Sequence, residues 1–406
     1  MKSRSWSKGF TRVWCTISLL GSAALAAQQP AAAPAAQSGK TPAIALMDGS
    51  EAAQWNWAKD KGWLIVVAKA GSAPAAGIDG QVQALAAAVQ DAVANGNADP
   101  ARIYLAGHAG TTPAVFYAVS RMPDAWTAAI AVGGSPQPAI DSGRIFASNF
   151  QSTPILWAGV SDADEALAGN LKKAGMNVDW RKATEVTPAS ASEWLLAHKR
   201  EPVPAAVDCE TSSPAFARCF WVQVTRFDVK EKNDVLPTTL LAPTMIATLD
   251  VGQFSYSRTD TGAGVLVSAL PDKYDGPLKV GDRIVALDGK PIDNPGMLEE
   301  MLRAVEETRD AVIMIDRGGA RQRVETRVVA PKRPNVVSAR VQGKFDAEQK
   351  EITLITRAVG DVRVTIPQYW LPATFNWNGL PLDELKTGGC LALHVENELL
   401  KADKCD

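Results

Sequence analysis

The chain has 406 residues, 46% of them hydrophobic, with 42 Lys and Arg against 44 Asp and Glu and a formal net charge of −2 at pH 7. That length exceeds what one hydrophobic core fills and predicts two to four domains. The absence of a basic excess argues against nucleic acid as a partner, because binding it requires a basic surface that displaces counterions.

In chain order, Lys2, Arg4, Lys8 and Arg12 precede an apolar run from Val13 to Ala27 that closes on small residues. This is the pattern of a secretory signal peptide over 1–27. The run is shorter than the roughly 20 apolar residues a membrane span needs, and no membrane span is expected in the mature chain. Residues 28–42, rich in Ala, Pro and Gln without apolar periodicity, predict a disordered leader. Over 43–200 short apolar runs at Ala43–Met47, Trp63–Ala68, Ile103–Ala106, Ala128–Val132, Ile155–Ala158 and Val178–Trp180 read as strands. They alternate with helical patterns at Gln81–Asn95, Thr112–Arg121 and Asp164–Ala174. Such alternation builds a parallel α/β sheet with helices on both faces.

The Pro-rich join Glu201-Pro202-Val203-Pro204 then marks a boundary, and composition shifts toward strands and turns. We expect a β-rich connecting segment over 201–245, an α+β module over 246–332 with one helix near Met297–Glu307, and a small all-β, sandwich-like module over 333–406. Gly318-Gly319 and Asn378-Gly379 are hairpin turns. Cys209, Cys219, Cys390 and Cys405 allow three pairings. The sequence-near pairs, Cys209 with Cys219 and Cys390 with Cys405, each close a short loop within one segment and fit export to an oxidising periplasm or cell exterior. Zinc is the rival reading, but neither pair has CxxC spacing and only His394 is near either, so no metal and no other cofactor is expected. Trp55, Trp57, Trp63, Trp370 and Trp377 read as core, with stacking on sugar rings the weaker alternative.

The stretch from Asp99 to Thr111, in which a strand runs into Gly107-His108-Ala109-Gly110 and then a helix, resembles the nucleophile elbow of α/β-hydrolases. It is closest to secreted esterases of the polyhydroxybutyrate-depolymerase and dienelactone-hydrolase kind. The resemblance covers about 43–200 and implies Asp162, in the loop after Ile155–Ala158, as the acid of a triad. The nucleophile position, however, is Ala109, which has no attacking atom. The stretch 182–192 that should carry the histidine has none, and the His-Gly of the family's oxyanion region appears as Asp48-Gly49, whose carboxylate opposes an oxyanion. The elbow is therefore read as degenerate.

Leu278-Lys279-Val280-Gly281-Asp282 together with Asp288-Gly289-Lys290-Pro291-Ile292 resembles PDZ domains of bacterial envelope proteases. The resemblance implies that an extended peptide or a protein C-terminus is added as a strand beside a carboxylate-receiving loop. Val251-Gly252-Gln253-Phe254 is the nearest loop, and Asp250 beside it opposes a carboxylate. Met297 and Met301 are expected to line the groove, and Leu302 and Val305 to be core. The leading reading is an exported, non-catalytic peptide-binding protein. The alternative is a secreted serine-type esterase or peptidase with an atypical site, using Ser135 or Ser161 with Asp162.

Overall fold

A strand that is apolar at consecutive positions must be covered on both faces. The first half of the chain builds that arrangement in the computed structural model, which describes residues 41–68, 77–243, 246–257, 259–331 and 336–405. Chain order gives β1 (Thr41–Leu46), α1 (Asn56–Asp60), β2 (Leu64–Val67), α2 (Gly77–Ala94), β3 (Ala98–His108) and α3 (Thr112–Arg121). There follow β4 (Ala128–Val132), α4 (Gln137–Asp141), β5 (Ile155–Gly159), α5 (Asp162–Lys173), β6 (Val178–Lys182) and α6 (Pro188–Leu196). The six strands form one parallel sheet in the order β2-β1-β3-β4-β5-β6. Successive residues of a strand point to opposite faces. Thus Ile103, Leu105 and Trp157 share a core with α2, α3 and α5, while Tyr104, Ala106 and Leu156 share another with α1 and α6. The expected signal segment and residues 28–40 of the expected leader lie outside the described residues. Thr41 and Pro42, also expected in the leader, begin β1 instead, where Thr41 pairs with Ala98 of β3.

Beyond α6 come β7 (Ala206–Thr211), β8 (Arg218–Cys219) and β9 (Val222–Phe227). A separate sheet follows, made of β10 (Thr248–Leu249), β11 (Ser255–Tyr256), β12 (Val265–Ala269), β13 (Arg283–Leu287), β14 (Lys290–Pro291), β15 (Arg309–Arg317) and β16 (Ala320–Val329), with α7 (Pro295–Arg303) between β14 and β15. The chain ends in β17 (Ala339–Asp346), β18 (Glu351–Arg357), β19 (Val359–Ile366), β20 (Ala373–Trp377), β21 (Leu380–Leu385), β22 (Gly389–Glu396) and β23 (Leu399–Lys404).

β7 pairs with β17, and β9 pairs with β19. The expectation of a connecting segment over 201–245 and an independent module over 333–406 is therefore corrected. The two stretches complete one β-sandwich, with sheets β21-β20-β18-β17-β7 and β23-β22-β19-β9-β8, and residues 246–331 are inserted between β9 and β17. The physical reason is that a few short strands do not bury an apolar face alone, and Val207, Val222 and Val224 reach burial only among residues of β17 to β20. Trp370 stacks on Phe345 with ring centroids 4.6 Å apart and meets Trp221 edge-on at 5.3 Å. Trp377, 2% exposed, donates its indole N–H to Thr356 Oγ1. Trp370 and Trp377 are thus core rather than exposed stacking surfaces. Cys209–Cys219 ties β7 to β8 of the facing sheet, and Cys390–Cys405 ties β22 to the residue after β23. Such bonds fit an oxidising environment.

In the inserted sheet, ordered β10-β16-β15-β13-β12-β11, the Gly318-Gly319 turn joins β15 to β16. Asp282, 1% exposed, accepts the Lys279 N–H and the Arg317 guanidinium, both at 2.7 Å. The Arg317 contact holds its carboxyl below the ordinary carboxylate value.

Glu210 on β7 is 1% exposed. Its carboxylate accepts Thr238 Oγ1 at 2.6 Å, Thr239 N at 2.7 Å, Thr239 Oγ1 at 2.8 Å, Arg357 at 2.8 Å and the Ser338 hydroxyl. Thr238 and Thr239 lie on the stretch that leads toward the insertion, and Ser338 lies on the stretch that returns from it. The Glu210 backbone meanwhile exchanges hydrogen bonds with the Asn149 side chain of the parallel-sheet region. Removing one partner of a buried ion pair costs about 3–5 kcal/mol. Glu210→Ala is accordingly expected to lower the free energy of unfolding by an amount of that order, measured by denaturant unfolding, and a loss no larger than that of an exposed substitution would refute the assignment.

Candidate functional site

Ligands of parallel α/β sheets bind where strand order reverses, outside the carboxyl ends of the strands. Here the reversal lies between β1 and β3, since β2 turns back beside β1 while later strands run outward from β3. The loop after β1 carries Asp48 and Gly49, and the turn after β3 carries His108, Ala109 and Gly110. Ala109 has φ +48°, a left-handed conformation that a residue bearing a Cβ rarely holds unless its surroundings impose it.

The surroundings here are close-packed. A Cβ on Gly107 would lie 2.6 Å from both Thr111 Oγ1 and Val115, and one on Gly134 would overlap the Ala109 carbonyl oxygen. Glu51 fastens the turn from across the reversal, its Oε2 accepting the His108 N–H at 3.0 Å and its Oε1 accepting the Thr111 hydroxyl at 2.7 Å. The sequence reading passed over Glu51. In the loop after β1 it belongs to no sequence motif, and its role follows from β1 lying next to β3. Asp48 faces its own loop and accepts the Ser50 N–H at 2.8 Å, a bond that holds its carboxyl below the ordinary value.

The other expected site residues stand as follows. The Ala109 methyl is exposed at the apex, and Asp162 is exposed at the first position of α5. The buried carboxylate of that loop is Asp164, which accepts the Val160 and Ser161 N–H groups at 3.0 Å and the Ser161 hydroxyl at 2.9 Å. Ser161 thus caps α5, and Ser135 accepts the Gln137 N–H. His198 bonds to the Trp194 carbonyl, and Arg200 N donates to Ala101 O near the start of β3, the end opposite Ala109. His394 lies on β22 of the sandwich. A cavity of about 160 Å³ beside the elbow is lined by His108, Trp55, Trp57, Val132 and Val186.

A larger concave surface, of about 990 Å³, lies in the inserted sheet between the edge strand β11 and α7. Among the described residues β11 pairs with β12 on one side only. Gly252, Gln253, Phe254 and Tyr256 form one wall, and Leu298, Glu299 and Leu302 form the other. The loop takes its shape from Tyr274, whose hydroxyl donates to Val251 O and accepts the Leu278 N–H. Gly252 has φ +76°, and a Cβ there would lie 2.8 Å from the Tyr274 ring. The N–H groups of Gly252, Gln253 and Phe254 have no partner among the described residues.

Two expectations are corrected. Val251 is 1% exposed and belongs to the core beneath the loop. Met297 and Met301 do not line the groove; Leu298 and Leu302 do. At about 100° of rotation per residue, a shift of one position turns a side chain away from a groove that a pair four apart faces squarely. Met301 packs against the edge of the core instead.

No family model and no curated protein matches the chain. Solved structures similar to parts of it include the HtrA-type protease AlgW with a decapeptide, at 16% identity over 23% of this chain and 32% of that one, TM-score 0.18. A thermostable esterase matches at 18% identity over 29% and 37%, TM-score 0.22. Esterase PE8 matches at 14% over 41% and 94%, TM-score 0.27. The chain spans about a third of the length of the first two, 32% and 37%. Similarities this low carry no argument about function.

The backbone at Ala109 makes a stability prediction. A Cβ in the left-handed region costs about 1–2 kcal/mol, partly offset by the extra freedom glycine gives the unfolded chain, about 0.4–1 kcal/mol. Ala109→Gly should leave the unfolding midpoint unchanged or raise it, whereas the same change at exposed Ala166 in α5 should cost about 1 kcal/mol. Equal destabilisation at both sites would show that Ala109 is not held in the strained conformation.

Proposed function

We propose that the protein is an exported, non-catalytic α/β-hydrolase-like protein whose inserted PDZ-like module binds extended peptide segments or protein C-termini in the cell envelope. The observation that carries this reading is the groove between β11 and α7. It offers a strand that pairs with β12 on one side among the described residues, three N–H groups in the loop ahead of it that have no partner among the described residues, and an apolar wall at Leu298 and Leu302. Those are the three elements that strand addition requires: main-chain donors for affinity, an open edge for register, and a pocket for a side chain.

The parallel-sheet region supports the non-catalytic half of the reading. Attack on a carbonyl needs a nucleophile with a base in hydrogen-bond reach. The apex presents a methyl group, Ser161 is spent on capping α5, and the carboxylate nearest the elbow, Glu51, is occupied with holding the turn. No observation favours the esterase or peptidase reading over this one. The two disulfides fit the oxidising compartment that an N-terminal export signal implies.

Two measurements on the full chain decide the matter. A fluorophosphonate probe and p-nitrophenyl esters should give neither labelling nor turnover, in the wild type and in Ala109→Ser alike, and labelling of any wild-type serine would return the protein to the hydrolases. Peptides with free C-termini should bind, and Gly252→Ala should weaken binding by about tenfold or more, equivalent to about 1.4 kcal/mol. Binding indifferent to Gly252→Ala would place the ligand elsewhere.

A further inference from the structure

We infer that the cavity beside the elbow is a second binding site, separate from the groove of the inserted module. Its ligand is a small, neutral molecule built on one aromatic ring that carries a hydroxyl, phenol being the simplest. Position is the first argument. Trp55 and Trp57 come from the segment after β1, His108 ends β3, Val132 ends β4, and Val186 and Thr187 follow β6. The cavity is thus assembled at the carboxyl ends of four strands, beside the reversal between β1 and β3, where sheets of this kind place their ligands. Thr187 is exposed, and Trp57, His108, Val132 and Val186 are partly exposed, which opens the cavity to solvent.

Size and wall chemistry select the ring. The cavity measures about 160 Å³, and an apolar cavity of about 150 Å³ holds one benzene. The Trp55 and Trp57 rings stand 6.1 Å apart and are inclined by 57°. A planar ligand therefore meets indole faces and edges, a gain beyond area burial that a saturated ring of the same size lacks. The polar groups select the substituent. Trp55 is 3% exposed, and its indole N–H has no acceptor among the described residues. A buried donor left unpaired is destabilising, and an oxygen brought by a ligand relieves that. The His108 imidazole lines the same cavity. A hydroxyl both accepts and donates, so one phenolic oxygen takes the indole N–H and engages a ring nitrogen of His108. Glu51, whose carboxylate accepts the His108 backbone N–H at 3.0 Å, sets a negative charge next to this residue and so disfavours an anionic ring such as benzoate.

The test uses the full chain with nitrogen-15 at its tryptophans, titrated with phenol, benzene, cyclohexanol and benzoate. Binding is read from the indole N–H resonances, that of Trp55 being identified by its loss in Trp55→Phe. Phenol should shift the Trp55 resonance saturably, with a Kd in the millimolar range or tighter. It should bind about threefold or more tighter than cyclohexanol, which lacks the π system, and than benzene, which lacks the hydroxyl. Benzoate should bind more weakly than phenol. Val186→Phe fills the cavity from a partly exposed loop position and should weaken phenol binding about tenfold or more. A Trp55 resonance that phenol leaves in place or shifts without saturation would overturn the inference. So would equal affinity for phenol and cyclohexanol, or phenol binding that Val186→Phe leaves unchanged. The ligand series on the wild type decides the matter even if that variant does not fold. Failure of every peptide to bind the groove would leave this inference standing, because its probe and its reporter both belong to the elbow cavity.

Discussion

A carboxylate taken out of water persists only where other groups satisfy its lone pairs and balance its charge. Glu210 meets that demand by drawing donors from separate stretches of chain: Thr238 and Thr239 on the way toward the insertion, Ser338 on the way back, and Arg357 on β18. Its own backbone is held by Asn149, from the loop between β4 and β5. The parallel sheet, the sandwich and both stretches flanking the inserted module are thereby referred to one point. Each partner is needed because the charge is buried, and the geometry of the junction is set by satisfying it. Near the same junction Arg121 of α3 stacks its guanidinium 4.4 Å from the Phe216 ring centroid. Phe216 lies in the loop closed by Cys209–Cys219, which strengthens the joint between the sheet and the sandwich.

On that frame the chain carries two surfaces of different construction. The elbow keeps the strained backbone, the close glycine packing and a carboxylate that fastens the turn, yet its apex is a methyl group. Strain is tolerated when surrounding structure over-determines it, and Glu51, Thr111 and Gly134 do that whether or not a nucleophile is present. The groove of the inserted module shows the converse. Its elements are short, β11 having only two residues, but among the described residues the N–H groups of Gly252, Gln253 and Phe254 have no partner.

Much of this was legible residue by residue. The apolar runs of β1 to β6 had to be parallel strands because they are apolar at consecutive positions and alternate with amphipathic helices. The Gly107-His108-Ala109-Gly110 turn, the Gly-Asp turn at Gly281-Asp282 and the hairpins at Gly318-Gly319 and Asn378-Gly379 each rest on local backbone chemistry. The short cysteine loops were equally local. Glu51 and the exact face of α7 were not: one depends on which strand lies beside β3, the other on how a helix is rotated over a sheet, and a single-residue error in that rotation exchanges Met297 and Met301 for Leu298 and Leu302.

The sequence by itself determined the elements, the turn chemistry, the pairing of neighbouring cysteines and the lack of a nucleophile at Ala109, because each depends on residues close together in the chain. Only the tertiary structure decided that 206–227 and 339–404 form one sandwich with the module inserted between them. It alone also gathered Thr238, Ser338 and Arg357 around Glu210. Those contacts join residues far apart in sequence, where burial of shared apolar surface and the satisfaction of a buried charge choose the partners and no local pattern announces them.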